Sequence, residues 1–119
     1  METHQNYLRV YRKRSWLTQS DIAFLMKLPG YTNLSRCEKG QRTPSIEMIL
    51  IYHILFNTPI EFFFQKQKLF LQEEMLSRIK QLIEDLRPHD KIPKVQRRIT
   101  FLRSSLTKLS NTNSNEKRP

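Results

Sequence analysis

The sequence predicts an all-α protein, and three observations carry that expectation. Apolar residues recur every three or four positions along most of the chain, while the alternation of a half-buried strand is missing. Residues that start or stop helices punctuate those stretches: Thr18, Ser45 and Asp90 at candidate starts, Pro29-Gly30, Gly40 and Asn57 at candidate ends. Two longer apolar stripes with heptad-like spacing follow residue 64.

A first helix is expected over about 6–14, with Leu8 and Tyr11 on one face. The second begins after Thr18, which can pair reciprocally with Asp21 in a capping box, and its apolar side is Ile22, Ala23, Leu25 and Met26. Pro29-Gly30 breaks it, Gly30 making the turn. The third helix spans about 31–39 and stops at Gly40, a residue suited to the left-handed backbone that follows a helix. Ser45 caps a fourth helix ending near Asn57, the next-best residue for that role after glycine. Pro59 then opens a short fifth helix, "PIEFFF", at its first position.

Beyond residue 64, Leu76, Ile79, Ile83 and Leu86 make one stripe, and Ile92, Val95, Ile99, Leu102, Leu106 and Leu109 make a second. The short "RPHDK" linker favours an antiparallel two-helix hairpin, with Asp90 as cap and Pro93 tolerated in the first turn. The expected organisation is a five-helix domain over 1–64, a helical extension over 65–110 and a disordered polar tail over 111–119.

Charge separates the halves. The formal net charge is +10, which points toward a polyanionic partner. Residues 1–64 carry eight Lys/Arg and five Asp/Glu, whereas 65–119 carry thirteen and six. From Lys91 to Lys108 there are six basic residues and no acid. A solvated face is the ordinary meaning of such a run, and its apolar stripe adds a packing surface. Glu73, Glu74, Glu84 and Asp85 on the preceding helix are candidate cross-helix partners. Direct nucleic-acid or membrane binding by this run is the alternative.

Other classes find little support. The lone Cys37 allows no internal disulfide, suits a reducing cytoplasm, and is expected to be a small core residue rather than a redox switch. The start "METHQNYLRV" has no apolar signal core, and the most apolar run, "MILIYHILF", is too short to span a bilayer. His4, His53 and His89 are scattered, so neither a metal nor another cofactor is expected. No nucleophile elbow, phosphate loop or paired-carboxylate pattern argues for an enzyme.

Three motifs give the chain a likeness. "LR--R----LTQ-DIA-L" from Leu8 to Leu25, "LSR-EKG-R-PS" from Leu34 to Ser45, and "F-TP-EFF" from Phe56 resemble the Cro and phage-repressor (xenobiotic-response-element, XRE) helix-turn-helix family. The resemblance covers about half the chain. It implies a repressor-like, sequence-specific DNA-binding regulator that acts on double-stranded DNA as a homodimer and reads the major groove with the helix near 31–39. An antitoxin-like factor whose C-terminal helices hold a protein partner, and an adaptor that has lost DNA binding, are the alternatives. Polar residues of base-reading type argue against the adaptor.

Residue by residue, the resemblance implies base contacts from Tyr31, Thr32, Asn33 and Arg36, though Tyr31 also suits covering the turn. Asn can pair with adenine, Arg with guanine, and Thr can touch a thymine methyl. Leu34 and Cys37 would face the core. Gln19, Lys39, Gln41, Arg42 and Thr43 would follow backbone phosphates, and Arg12–Glu38 would be a structural ion pair. Trp16 and Lys27 stand where the family customarily has glycine, so both turns are expected to be built differently, with Pro29-Gly30 taking over the second. The apolar residues Met48, Ile51 and Ile54 offer either a seat for the C-terminal hairpin or a dimer interface.

Overall fold

Each short helix of the first half is set by a local hydrogen-bond device. The computed structural model describes residues 6–115, with side chains described as far as 111; His4 and residues 116–119 lie outside that range. Among the described residues the chain is all-helical, with no strand. It divides into two units between Lys68 and Leu69, four residues later than the sequence suggests.

Helix α1 (Leu8–Arg14) is entered through Asn6. The Leu8 N–H donates to Asn6 Oδ1 at 3.0 Å, and Asn6 Nδ2 donates to the Cys37 carbonyl at 2.9 Å. Helix α2 (Gln19–Leu25) carries the expected capping box: Asp21 N–H donates to Thr18 Oγ1 at 3.0 Å, and Thr18 N–H donates to Asp21 Oδ2 at 2.9 Å. Helix α3 (Thr32–Glu38) is followed by Gly40 at φ 78°. There the Gly40 N–H donates to the Cys37 carbonyl and the Gln41 N–H to the Arg36 carbonyl, the paired bonds of a Schellman end. Helix α4 (Ile46–Phe56) starts on Ser45, whose hydroxyl accepts from the Met48 N–H at 3.1 Å, and ends on Asn57 in the left-handed region.

The expectation for the other two turns needs correction. Trp16 (φ 69°) and Lys27 (φ 58°) hold the left-handed backbone themselves. After α2, Lys27 N–H donates to the Phe24 carbonyl and Leu28 N–H to the Ala23 carbonyl, the same Schellman pair that follows α3. Two satisfied carbonyls offset the cost of a side chain at positive φ. Gly30 shows no such requirement: its φ is not positive, and a Cβ built there meets nothing within 4 Å.

The first unit closes on Leu8, Ile22, Leu34, Cys37, Met48, Tyr52 and Phe63, all buried. Phe63 meets Tyr11 edge-on at 5.2 Å and Tyr52 at 6.3 Å between ring centroids. Its carbonyl accepts from the Tyr7 N–H at 2.8 Å, which ties the start of the unit to its end. Ala23 is buried as expected, but Leu25, placed on the apolar side from spacing, is exposed because the inward face of α2 centres on Ile22, Ala23 and Met26 and leaves Leu25 beyond its edge. The "PIEFFF" segment is a 3-10 turn over Ile60–Phe64, with Pro59 just before it, and it runs directly into α5 (Gln65–Leu86).

In the second unit, a 3-10 turn at Arg87–His89 leads to α6 (Pro93–Asn115). Ile79, Ile83, Val95 and Ile99 form its buried centre, flanked by Leu86, Leu102, Leu106 and Leu109. Three expectations change here. Ile92 is exposed, because it precedes the helix instead of lying on its apolar face. Asp90 ends the 3-10 turn, and Pro93 itself occupies the first helical position, where its fixed φ fits. The polar segment expected to be disordered from 111 continues α6 as far as Asn115.

Among the described residues, no acid of α5 pairs across to α6. Glu74 pairs with Arg78 at 3.1 Å, Glu84 with Arg87 at 3.0 Å, and Asp85 accepts from Gln81 at 3.0 Å. Neighbours three or four residues apart are already within reach, so local pairs form first. No helix among the described residues is long and apolar enough to cross a membrane.

Candidate functional site

Helix α3 has two chemically distinct sides. Leu34, Cys37 and Glu38 are buried, whereas Tyr31, Thr32, Asn33, Arg36 and Lys39 are exposed together. Gln41, Arg42 and Thr43 continue the exposed row past Gly40. The expected separation of Leu34 and Cys37 from Thr32, Asn33 and Arg36 is therefore present.

One bond within the row has no signature in the sequence. Arg42 Nη1 donates to Asn33 Oδ1 at 2.7 Å. A guanidinium has only donors, so this bond fixes which end of the Asn33 amide faces Arg42. The Oδ1 keeps a second lone pair and the Nδ2 keeps its two protons. Asn33 can thus still offer an acceptor and a donor side by side.

Behind the row lies a buried carboxylate. Glu38 accepts from Arg12 Nε at 2.8 Å and Nη2 at 2.9 Å, from Gln19 Nε2 at 3.1 Å, and from the Tyr52 hydroxyl at 2.6 Å. Arg12 Nη1 also donates to the Leu17 carbonyl at 3.0 Å. One carboxylate therefore joins α1, α2 and α4 to the end of α3. Burial opposes its charge, but the bonds from Arg12, Tyr52 and Gln19 prevail and hold its pKa below the ordinary value. The bond to Glu38 raises Arg12 further, and burial together with donation to Glu38 pushes Tyr52 well above the ordinary phenol. Burial pushes the Cys37 thiol up as well, which disfavours the thiolate that redox chemistry needs.

Gln19 thus has a second partner beside the expected one. One amide proton is committed to Glu38, and the other is free in valence to meet an anion. It lines an open cleft of about 500 Å³, whose rim includes Arg9, Lys13, Ser20, Tyr31, Ser35 and Lys39. Arg9, Lys13, Ser20 and Ser35 were given no contact from the sequence, although Arg9 and Lys13 lie four apart on α1, one turn of like charge. Tyr52 was missed too. Its signal was a hydroxyl inside the most apolar run of the chain, where it must find an acceptor.

The cleft and the row together present cations, amides and hydroxyls, and the acid lining the cleft, Glu38, is held by four donors. Such a surface suits a ligand with regularly placed anionic oxygens and hydrogen-bonding edges. Comparisons with protein-family models, curated proteins and solved structures found no match to the chain.

Proposed function

We propose that the chain is a sequence-specific DNA-binding transcriptional regulator, a repressor in its simplest form, that reads base edges in the major groove with α3. The observation that carries the proposal is the shared exposure of Thr32, Asn33 and Arg36 on one side of α3, opposite buried Leu34 and Cys37. These are residue types that can discriminate base edges, and the cations and amides from Lys39 to Thr43 are types that follow phosphates. The finer architecture belongs to the same proposal: a repressor-like domain made of α1–α4 and the 3-10 turn at Ile60–Phe64, followed by a two-helix hairpin.

A single domain of this size touches few bases, so we also propose that two copies bind two half-sites. Of the expected Met48, Ile51 and Ile54, Met48 is buried in the core and Ile51 is half-buried, so the surface for pairing is Ile46, Leu50 and Ile54: they recur every four residues on α4, and Ile46 and Ile54 are 76% and 71% exposed. Sedimentation in the presence of duplex tests the pairing, and a monomer bound to each site would remove it.

Selection of bound sequences from random duplex DNA tests the reading itself. The expected result is a discrete site bound with affinity that falls linearly in log salt, at a slope of about −0.9 per phosphate neutralised. A chain with no measurable affinity for any duplex at low salt would overturn the proposal.

A further inference from the structure

The outer side of α6 carries charge that is unpaired among the described residues. Lys94, Arg97, Arg98 and Lys108 are exposed; Arg97 and Lys108 point away from Val95, Ile99, Leu102 and Leu106, while Lys94 and Arg98 flank that stripe. Lys94, Arg98, Phe101, Ser104 and Lys108 follow one another at steps of three or four residues, and Arg97 lies alongside. Phe101 sits in the middle of this row and is 70% exposed. No acid occurs between Lys91 and Lys108, and among the described residues none of these cations is in an ion pair. At 1.5 Å per residue the row from Lys94 to Lys108 is about 21 Å long.

We infer that this face of α6 is a second nucleic-acid contact, one that takes the phosphate backbone of duplex DNA without reading sequence. The inference rests on the DNA-binding proposal above and adds to it a separate, purely electrostatic footprint. A duplex offers one negative charge per about 1.7 Å of its axis, so a straight row of unpaired cations meets a dense, regular line of opposite charge. A lipid surface is the poorer fit. Membrane-lying helices insert a broad apolar face, and the apolar face of α6 is already taken by Ile79 and Ile83 of α5. Only Phe101 would remain to insert. A protein partner is also disfavoured, because protein interfaces close around an apolar centre and the row offers one ring among its cations.

The test uses the full chain and a variant carrying Lys94→Gln, Arg97→Gln, Arg98→Gln and Lys108→Gln, all helix-tolerant changes at exposed positions. Lys80→Glu with Arg78→Glu removes the same net charge from α5 and serves as the control. Affinity for the selected duplex is measured from low to moderate salt, and helix content is checked by circular dichroism. The expected log–log slope is shallower by about 0.9 for each phosphate no longer neutralised, thus by about 2–4 in the quadruple variant, with base preference unchanged. The control keeps the parental slope. A quadruple variant with the parental slope overturns the inference and leaves the reading by α3 intact. A parent that binds all duplexes alike, with binding abolished in the quadruple variant, overturns the reading by α3 and leaves the inference standing. Loss of binding to phosphatidylserine vesicles at an unchanged duplex slope overturns it in favour of a membrane.

Discussion

The Tyr52 hydroxyl donates to Glu38 Oε2 at 2.6 Å, and this bond couples the middle of α4 to the last residue of α3. Helix α3 is therefore not positioned by apolar packing alone. Apolar contacts are non-directional and tolerate small rotations of a seven-residue helix. A carboxylate with four directed donors does not, and it fixes the rotation that turns Asn33 and Arg36 outward.

Removing one side of this network should cost more than removing its net contribution. Arg12→Ala would leave a buried carboxylate short of its cation, and a loss of about 3–5 kcal/mol is expected. Tyr52→Phe removes a single bond to a charged acceptor and should cost about 1.5–3 kcal/mol. Urea denaturation of the two variants and their double mutant gives the coupling. Strictly additive losses would mean that the residues do not act through Glu38.

Acid should act on Glu38 and alkali on Tyr52. The Glu38 pKa is depressed on folding, so its contribution is present above the ordinary carboxylate value of 4.5 and is lost as pH falls through the lower folded value. The Tyr52 pKa is raised on folding, so its contribution is present below the ordinary value of 10.0 and declines as pH rises past it. Melting temperature against pH should therefore be flat near neutrality and fall at both ends. Tyr52→Phe should flatten the alkaline limb relative to the parent; an unchanged limb would mean that Tyr52 does not set it.

What the sequence made legible was local. Thr18, Asp21, Ser45, Asn57 and Gly40 act where they stand, so caps and ends could be read from a few adjacent letters. The exposed row on α3 was legible for the same reason, since the spacing of Leu34 and Cys37 marks which side of a short helix turns inward. Tertiary partners were not legible. Tyr52 meets Glu38 fourteen residues away, and Arg42 meets Asn33 across the end of a helix, separations that carry no periodic signal. Propensity also misled at Lys27 and Trp16, where hydrogen bonds to carbonyls override the backbone preference of the residue.

Those two residues give a backbone prediction. The Lys27 side chain is exposed, so glycine there relieves the positive φ at a small loss of chain entropy. Lys27→Gly should raise stability by about 0.5–1 kcal/mol, the net of the two effects. Gly30→Ala should be neutral or slightly stabilising, because its backbone suits any residue and the space is open. Thermal melts of both variants check this. A marked loss in Gly30→Ala would return the turn to the glycine.

Asn33 and Arg36 carry the sharpest expectation, because they share a face but not a partner. Arg36 is exposed, one turn from Asn33, and its fork suits guanine, so Arg36→Ala should cost about 1–3 kcal/mol of binding, confined to one or two base positions. Asn33→Ala should cost a similar amount at a different position, and in addition should free Arg42 from its bond to Oδ1. Arg42→Ala should instead weaken all sequences, alike except for changes at the position facing Asn33, and make the salt slope shallower by about 0.9 if it neutralises one phosphate. Because Arg42 also holds the Asn33 amide, its removal should blur the preference at the position read by Asn33 and nowhere else. A panel of single-base variants of the selected site, measured against all three substitutions, separates these effects. Uniform losses from Asn33→Ala and Arg36→Ala would assign both side chains to phosphates. Collapse of the melting temperature would mean that the exposed side of α3 is structural, since neither residue belongs to the core that could explain it.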